Sequence, residues 1–220
     1  MKKALSLIIA VVMCVGMFAV SAVAGNPNYT QNWNNGKGTS TFTNISANQF
    51  STTWSSNSGS GFNGVVGKGW NPGTKTKVIG YNVSVFQLNN PSGCAYLSLY
   101  GWTRNTLVEY YVMEMWINYK PATGTKLGTI SSNGGTYDVW KHQQVNQPSI
   151  QGTQSFWQIF SLRQAQAPMK TNNTLTFPNH VNGWSNLGFN LGSTMDYQMM
   201  AVEFYESSGS ADLTVWEITP

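Results

Sequence analysis

Short runs in which apolar and polar side chains alternate recur from residue 50 onward. Phe50-Ser51-Thr52-Thr53-Trp54, Lys77 to Val85, Ala95-Tyr96-Leu97-Ser98-Leu99-Tyr100 and Phe156 to Leu162 all carry this period of two. Such a period places successive side chains on opposite faces of an extended strand, so one face can be buried while the other meets solvent or ligand. The runs are aromatic or β-branched and are bounded by clusters of Gly, Asn, Pro and Ser, which end strands and make turns. The expected fold class is therefore all-β, with antiparallel sheets packed as a sandwich or jelly roll. One segment departs from the period: Val181, Trp184 and Leu187 recur at three-residue spacing between Pro178 and Gly188. This predicts a single α-helix, opened by the proline, stopped by the glycine and bracing a sheet.

The first 24 residues have a different character. Met1-Lys2-Lys3 supplies positive charge, Leu5 to Val20 is apolar, and Ala22-Val23-Ala24 offers small residues before Gly25. That order is expected of a secretory signal peptide over residues 1–24, leaving residues 25–220 as a single domain in an extracellular, secreted protein with no membrane attachment after cleavage. Cys94 is then the one cysteine left, so an intramolecular disulfide is excluded and stability must come from packing and hydrogen bonds.

Composition narrows the ligand. Charged residues make up 9% of the chain and aromatics 13%, and the formal net charge of +4 includes Lys2 and Lys3. The remaining positive charges are scattered, whereas nucleic-acid binding needs clustered phosphate contacts, so no nucleic acid is expected as a partner. A surface of Asn, Ser, Thr, Gly and aromatic side chains suits an uncharged, hydroxyl-rich ligand. His142 and His180 stand far apart and lack companions for a metal site. No phosphate loop or nucleophilic triad is present, so neither metal nor other cofactor is expected.

The acids carry the most information. Of three aspartates and five glutamates, Glu109 and Glu203 each lie inside an aromatic and apolar strand pattern, where a carboxylate is costly to bury unless partnered or functional. Alternation puts Leu107, Glu109, Tyr111 and Met113 on one face and Val108, Tyr110, Val112 and Glu114 on the other; Tyr197, Met199, Ala201, Glu203 and Tyr205 likewise point together. Each glutamate thus shares its face with tyrosines. A single such glutamate would be read as an ion pair at a sheet edge, but two so placed are the expected acid pair of a glycosidase.

The motifs point further. Leu107-Val108-Glu109-Tyr110-Tyr111-Val112, Val145-Asn146-Gln147-Pro148-Ser149-Ile150, Asp196-Tyr197-Gln198 and Ala201-Val202-Glu203 through Ser207-Ser208-Gly209-Ser210 resemble, in order, segments of glycoside hydrolase family 11, the endo-1,4-β-xylanases. Leu99-Tyr100-Gly101-Trp102-Thr103-Arg104 and Val66-Gly67-Lys68-Gly69-Trp70 are similar too, and the resemblance runs from about Tyr29 to Trp216. It implies a β-jelly roll of two curved antiparallel sheets with a single α-helix and a deep cleft. It implies a monomer acting on xylan and xylo-oligosaccharides, without a cofactor, by a retaining double displacement. By motif position Glu109 matches the nucleophile and Glu203 the acid/base, a pair that retaining enzymes hold about 5 to 5.5 Å apart.

The same resemblance assigns supporting positions. Tyr100, Tyr111, Gln158 and Tyr197 match residues that hold the nucleophile or touch the reacting sugar, Trp33 a stacking platform, and Pro148 the tip of a thumb loop over the cleft. Asn63 matches a position beside the acid/base that is Asp in acid-adapted members, so a near-neutral optimum is expected. The chain departs from the pattern at Gln144, where arginine is common, and at Phe204 and Ile117, where glycine is usual. The rival readings are a non-catalytic carbohydrate-binding jelly roll and a jelly-roll β-glucanase.

Overall fold

A computed structural model describes residues 25–57 and 59–218; the segment expected to be a signal peptide lies outside them. In chain order the elements are β1 (Tyr29–Asn34), β2 (Gly38–Ser40), β3 (Thr43–Asn44), β4 (Gln49–Ser56), β5 (Asn63–Trp70), β6 (Val78–Leu88), β7 (Cys94–Arg104) and β8 (Val108–Ile117). They continue as β9 (Thr125–Ser132), β10 (Gly135–Ser149), β11 (Gly152–Arg163), β12 (Asn173–Thr176), α1 (Phe177–Asn186), β13 (Thr194–Tyr205) and β14 (Gly209–Ile218). An eight-stranded sheet has the order β1-β5-β13-β7-β8-β11-β10-β9. A six-stranded sheet runs β12-β6-β14-β4-β2, with β3 paired to β4. The two sheets are curved and face one another, as expected.

Alternation explains how one strand serves two environments. Val108, Tyr110 and Val112 of β8 join the core between the sheets with Phe50, Val83, Leu97, Leu99, Val202 and Leu213. Tyr111 and Met113 join a second buried cluster with Tyr100, Trp102, Phe160, Tyr197 and Met199 on the opposite face of the larger sheet. Because both faces are covered, β7 and β8 are buried almost throughout.

Two features add to the pattern drawn from sequence. β8 and β11 pair in parallel, although every other pairing in the two sheets is antiparallel. Alternation along one strand reports which face a residue takes and is silent on the direction of its neighbour. The period also slips within β8: Ser98 pairs with Met113 but Leu97 pairs with Met115, so Glu114 is an extra residue. Met115 consequently enters the core while Met113 faces the other way.

Glu114 is nonetheless satisfied. Tyr81 and Tyr137 donate to it at 2.7 Å each, and Arg163 Nη1 lies 3.0 Å from its Oε2. Burial still pushes its carboxyl up, with the two phenols and the guanidinium opposing.

The helix forms where its spacing predicted, with proline in its first turn and Gly188 at φ +82° just past its end. It packs Phe177 5.0 Å and Trp184 6.3 Å, centroid to centroid, from the ring of Tyr110. Since Tyr110 and Glu109 point to opposite faces of β8, α1 supports the sheet from behind the glutamate. Among the described residues no helix is long and apolar enough to cross a membrane.

Candidate active site

β8 is flanked by β7 on one side and β11 on the other, and the registers bring Trp102 and Gln158 to either side of Glu109. Glu109 is 7% exposed. Each of its oxygens receives a hydrogen bond: Tyr100 Oη donates to Oε1 at 2.7 Å, and Gln158 Nε2 donates to Oε2 at 2.7 Å. Tyr100 in turn accepts from the Trp102 indole at 2.8 Å, and Gln158 accepts from Gln144 Nε2 at 3.0 Å. Two donor chains therefore converge on one carboxyl. Hydrogen bonds to a charged acceptor are the strong kind, and chains polarise along their length.

Glu203 sits on β13, opposite Tyr96 of β7 and Val65 of β5. Register partners share a face, so Trp33, Val65, Glu203 and Tyr96 form one row across four strands. Glu203 lines a cavity of about 310 Å³ with Tyr111, Gln158, Asn63, Tyr96 and His142.

The two carboxyls have different surroundings. Burial raises Glu109 above the usual carboxylate range, and donation from Gln158, Tyr100 and Tyr111 pulls it back. Glu203 is pushed up to about 8, first by burial and then by the negative charge of Glu109, with Tyr111 opposing. The charge of Glu109 is among the causes that raise Glu203, whereas donors oppose the rise at Glu109, and such unlike surroundings suit distinct acid and nucleophile roles.

The structure gathers most of the predicted positions. Tyr100 and Tyr111 lie 5.0 Å apart, ring to ring, and Tyr197 lies 5.9 Å from Tyr100 while stacking on Tyr29. Asn63 borders the same cavity as Glu203. Trp33, 45% exposed, stands in the Glu203 row but outside that cavity. Pro148 is exposed in the β10–β11 hairpin, beyond a bulge between Gln144 and Gln147, and also lies outside it.

Sequence reasoning gave no site role to Trp102, Tyr96 or His142. Trp102 is two residues from Tyr100 on the same strand face, a spacing that could have flagged it. His142 is the register partner of Gln158, a relation that only strand pairing reveals.

Residues 25–214 match the model of glycosyl hydrolases family 11. The chain belongs to glycosyl hydrolase family 11. It is 47% identical over 191 residues to an ethylene-inducing xylanase of Hypocrea rufa, covering 86% of this chain and 80% of that one. It is also 47% identical over 189 residues to endo-1,4-β-xylanase 3 of Pyricularia oryzae, covering 85% and 75%. A solved structure from a comparison of two major endo-1,4-β-xylanases of Trichoderma reesei superposes with a TM-score of 0.76 at 43% identity, covering 87% of this chain and 99% of that chain.

Within this family 11 chain the departures have visible settings. Phe204 is fully buried and stacks on Trp54 at 4.9 Å, on the face away from Glu203. Its register partner is Gly64, where a Cβ would fall 2.5 Å from the Phe204 ring. Ile117 packs at the edge of the main core. Gln144 is the outer donor of the chain that ends on Glu109.

Proposed function

We propose that the protein is a secreted endo-1,4-β-xylanase, active as a monomer, that hydrolyses internal β-1,4-xylosidic bonds of xylan with retention of anomeric configuration. The observation that carries this reading is the placement of two carboxyls on one face of the larger sheet, Glu109 with a donor on each oxygen and Glu203 lining the cavity that Tyr111 and Gln158 also border. Membership of family 11 and xylanase relatives support the substrate class.

In the first step ionised Glu109 attacks the anomeric carbon of the bound xylose. The glycosidic bond breaks as its oxygen takes the proton from Glu203. Tyr100 and Gln158 hold the attacking carboxylate in place, because a carboxylate that accepts two donors cannot rotate without losing one. Once Glu109 is bonded to the sugar its charge is gone, and one cause of the raised Glu203 pKa goes with it. Glu203 then remains ionised and takes a proton from water. The resulting hydroxide attacks the same carbon, and the bond to Glu109 breaks to restore its carboxylate. Aromatic and amide side chains around the cavity suit an uncharged sugar, with Trp33 as a stacking platform and Pro148 stiffening the hairpin over the cleft.

The test is release of reducing sugar from xylan by the wild type, Glu109→Ala and Glu203→Ala, with mixed-linkage glucan as comparator. Turnover of xylan by the wild type alone is expected. Xylan binding without turnover would instead favour a carbohydrate-binding module, and preference for the glucan would favour a β-glucanase.

A further inference from the structure

The two donor chains that end on Glu109 differ in one respect. The phenol oxygen of Tyr100 accepts from the Trp102 indole, which leaves the phenol hydrogen for the carboxylate. The Gln158 amide can be turned by half a rotation, exchanging its nitrogen for its oxygen. Only one orientation suits an ionised Glu109, which has no hydrogen to give. If the carbonyl of Gln158 faced the carboxylate, two acceptors would oppose each other, and protonated Glu109 would be favoured instead.

A contact on the far side of the amide reinforces that choice. Gln144 Nε2 lies 3.0 Å from Gln158 Oε1, and Gln158 Nε2 lies 2.7 Å from Glu109 Oε2. A donor at Gln144 occupies the Gln158 oxygen, so the Gln158 nitrogen is left for the carboxylate. We propose that Gln144 is a positioning residue for the nucleophile: by donating to Gln158 it fixes the amide orientation that keeps Glu109 ionised. The inference rests on Glu109 being the nucleophile.

The location of Gln144 extends the consequence. It is the last residue of β10 in regular register with β11 before the bulge that leads to Pro148. The base of the hairpin and the proposed nucleophile are thus joined through three side chains, Gln144, Gln158 and Glu109.

Other titratable groups act on Glu109 from the surrounding strands, Tyr100 on β7, Tyr111 on β8, and Glu203 and Tyr197 on β13, while His142 on β10 lines the cavity that Gln158 and Glu203 border. All stay unchanged when Gln144 or Gln158 is replaced by methionine, a neutral residue of similar length. Charge effects from new groups are thereby avoided.

The experiment is a carbon-13 NMR titration of the Glu109 carboxyl in the wild type, Gln144→Met, Gln158→Met and the double variant, together with the acid limb of kcat/KM. Gln144→Met is expected to raise both the Glu109 pKa and the acid limb by about half a unit or more, as loss of a donor to the charged form requires. In the Gln158→Met background the Gln144 substitution is expected to add nothing, because its route to Glu109 is gone. An unmoved Glu109 pKa in Gln144→Met, or equal shifts in both backgrounds, would overturn the proposal. If Gln144→Met folds poorly, Gln144→Thr removes the same reach from a strand position that tolerates β-branching. The nucleophile assignment fails separately, by retained xylan hydrolysis in Glu109→Ala, while the titration still reads the donor chain.

Discussion

Gln158 and Glu109 are register partners across the parallel β8–β11 pair, and that pairing sets the Gln158 amide nitrogen 2.7 Å from Glu109 Oε2. The side chain that steadies the proposed nucleophile comes from a segment 49 residues downstream. Nothing in the local pattern of either strand announces the meeting.

The pH dependence of activity follows from Glu203. Its carboxyl is pushed up to about 8 and carries a proton in the proposed first step, so kcat/KM on a xylo-oligosaccharide is expected to fall on the alkaline side near pH 8. Removing the adjacent charge with Glu109→Gln is expected to lower the Glu203 pKa in an NMR titration. An alkaline limb near pH 5 would contradict the coupling.

Folding stability responds to the same groups with a definite sign. In the folded state Glu203 titrates near 8 rather than in the usual carboxylate range, so the folded protein holds the extra proton between about 4.5 and 8 and loses stability as pH rises through that window. Raised Glu109 and Glu114 act in the same sense. His180 is the reverse: burial pushes it down to about 3, so stability falls as pH drops from about 6.5 toward that value. Melting temperature against pH is expected to decline on both sides, with Glu203→Gln shallower on the alkaline side alone.

How much could be read beforehand differs from element to element. Alternation sorted Glu109, Tyr111 and Met113 from Val108, Tyr110 and Val112 because the side-chain period of a strand is local. The helix was legible from Val181, Trp184 and Leu187. The roles of Glu109 and Glu203 came from motif resemblance. Strand direction, the bulge at Glu114 and the Gln144–Gln158 contact were not legible, since each depends on which distant strand lies alongside. Glu114 illustrates the limit: its face was read correctly, but its partners Tyr81, Tyr137 and Arg163 come from three other segments.

That buried cluster yields its own prediction. Glu114 is 1% exposed, and truncating it leaves Arg163 and two phenols without their shared acceptor. Glu114→Ala is expected to destabilise the fold by about 3–5 kcal/mol in urea denaturation. A loss below about 1 kcal/mol would place the cluster among ion pairs of no consequence.

Phe204 separates stability from catalysis. Its ring fills the core against Trp54 and Phe62, on the strand face opposite Glu203. Phe204→Ala is expected to cost about 3–5 kcal/mol of stability through the cavity it leaves. Its kcat/KM per folded molecule should stay within about threefold of wild type, since the reacting groups are untouched. A large fall in kcat with unchanged stability would mean that the residue acts on the cleft.

The central claim is that Glu109 forms a bond to the sugar while Glu203 handles the proton. The most direct test is to trap the intermediate with an activated 2-deoxy-2-fluoro-xylobioside, digest the protein and locate the label by mass spectrometry. One sugar adduct per molecule, on the peptide that contains Glu109, is the predicted result. An adduct on Glu203, or turnover without any adduct and with inverted product, would contradict the account.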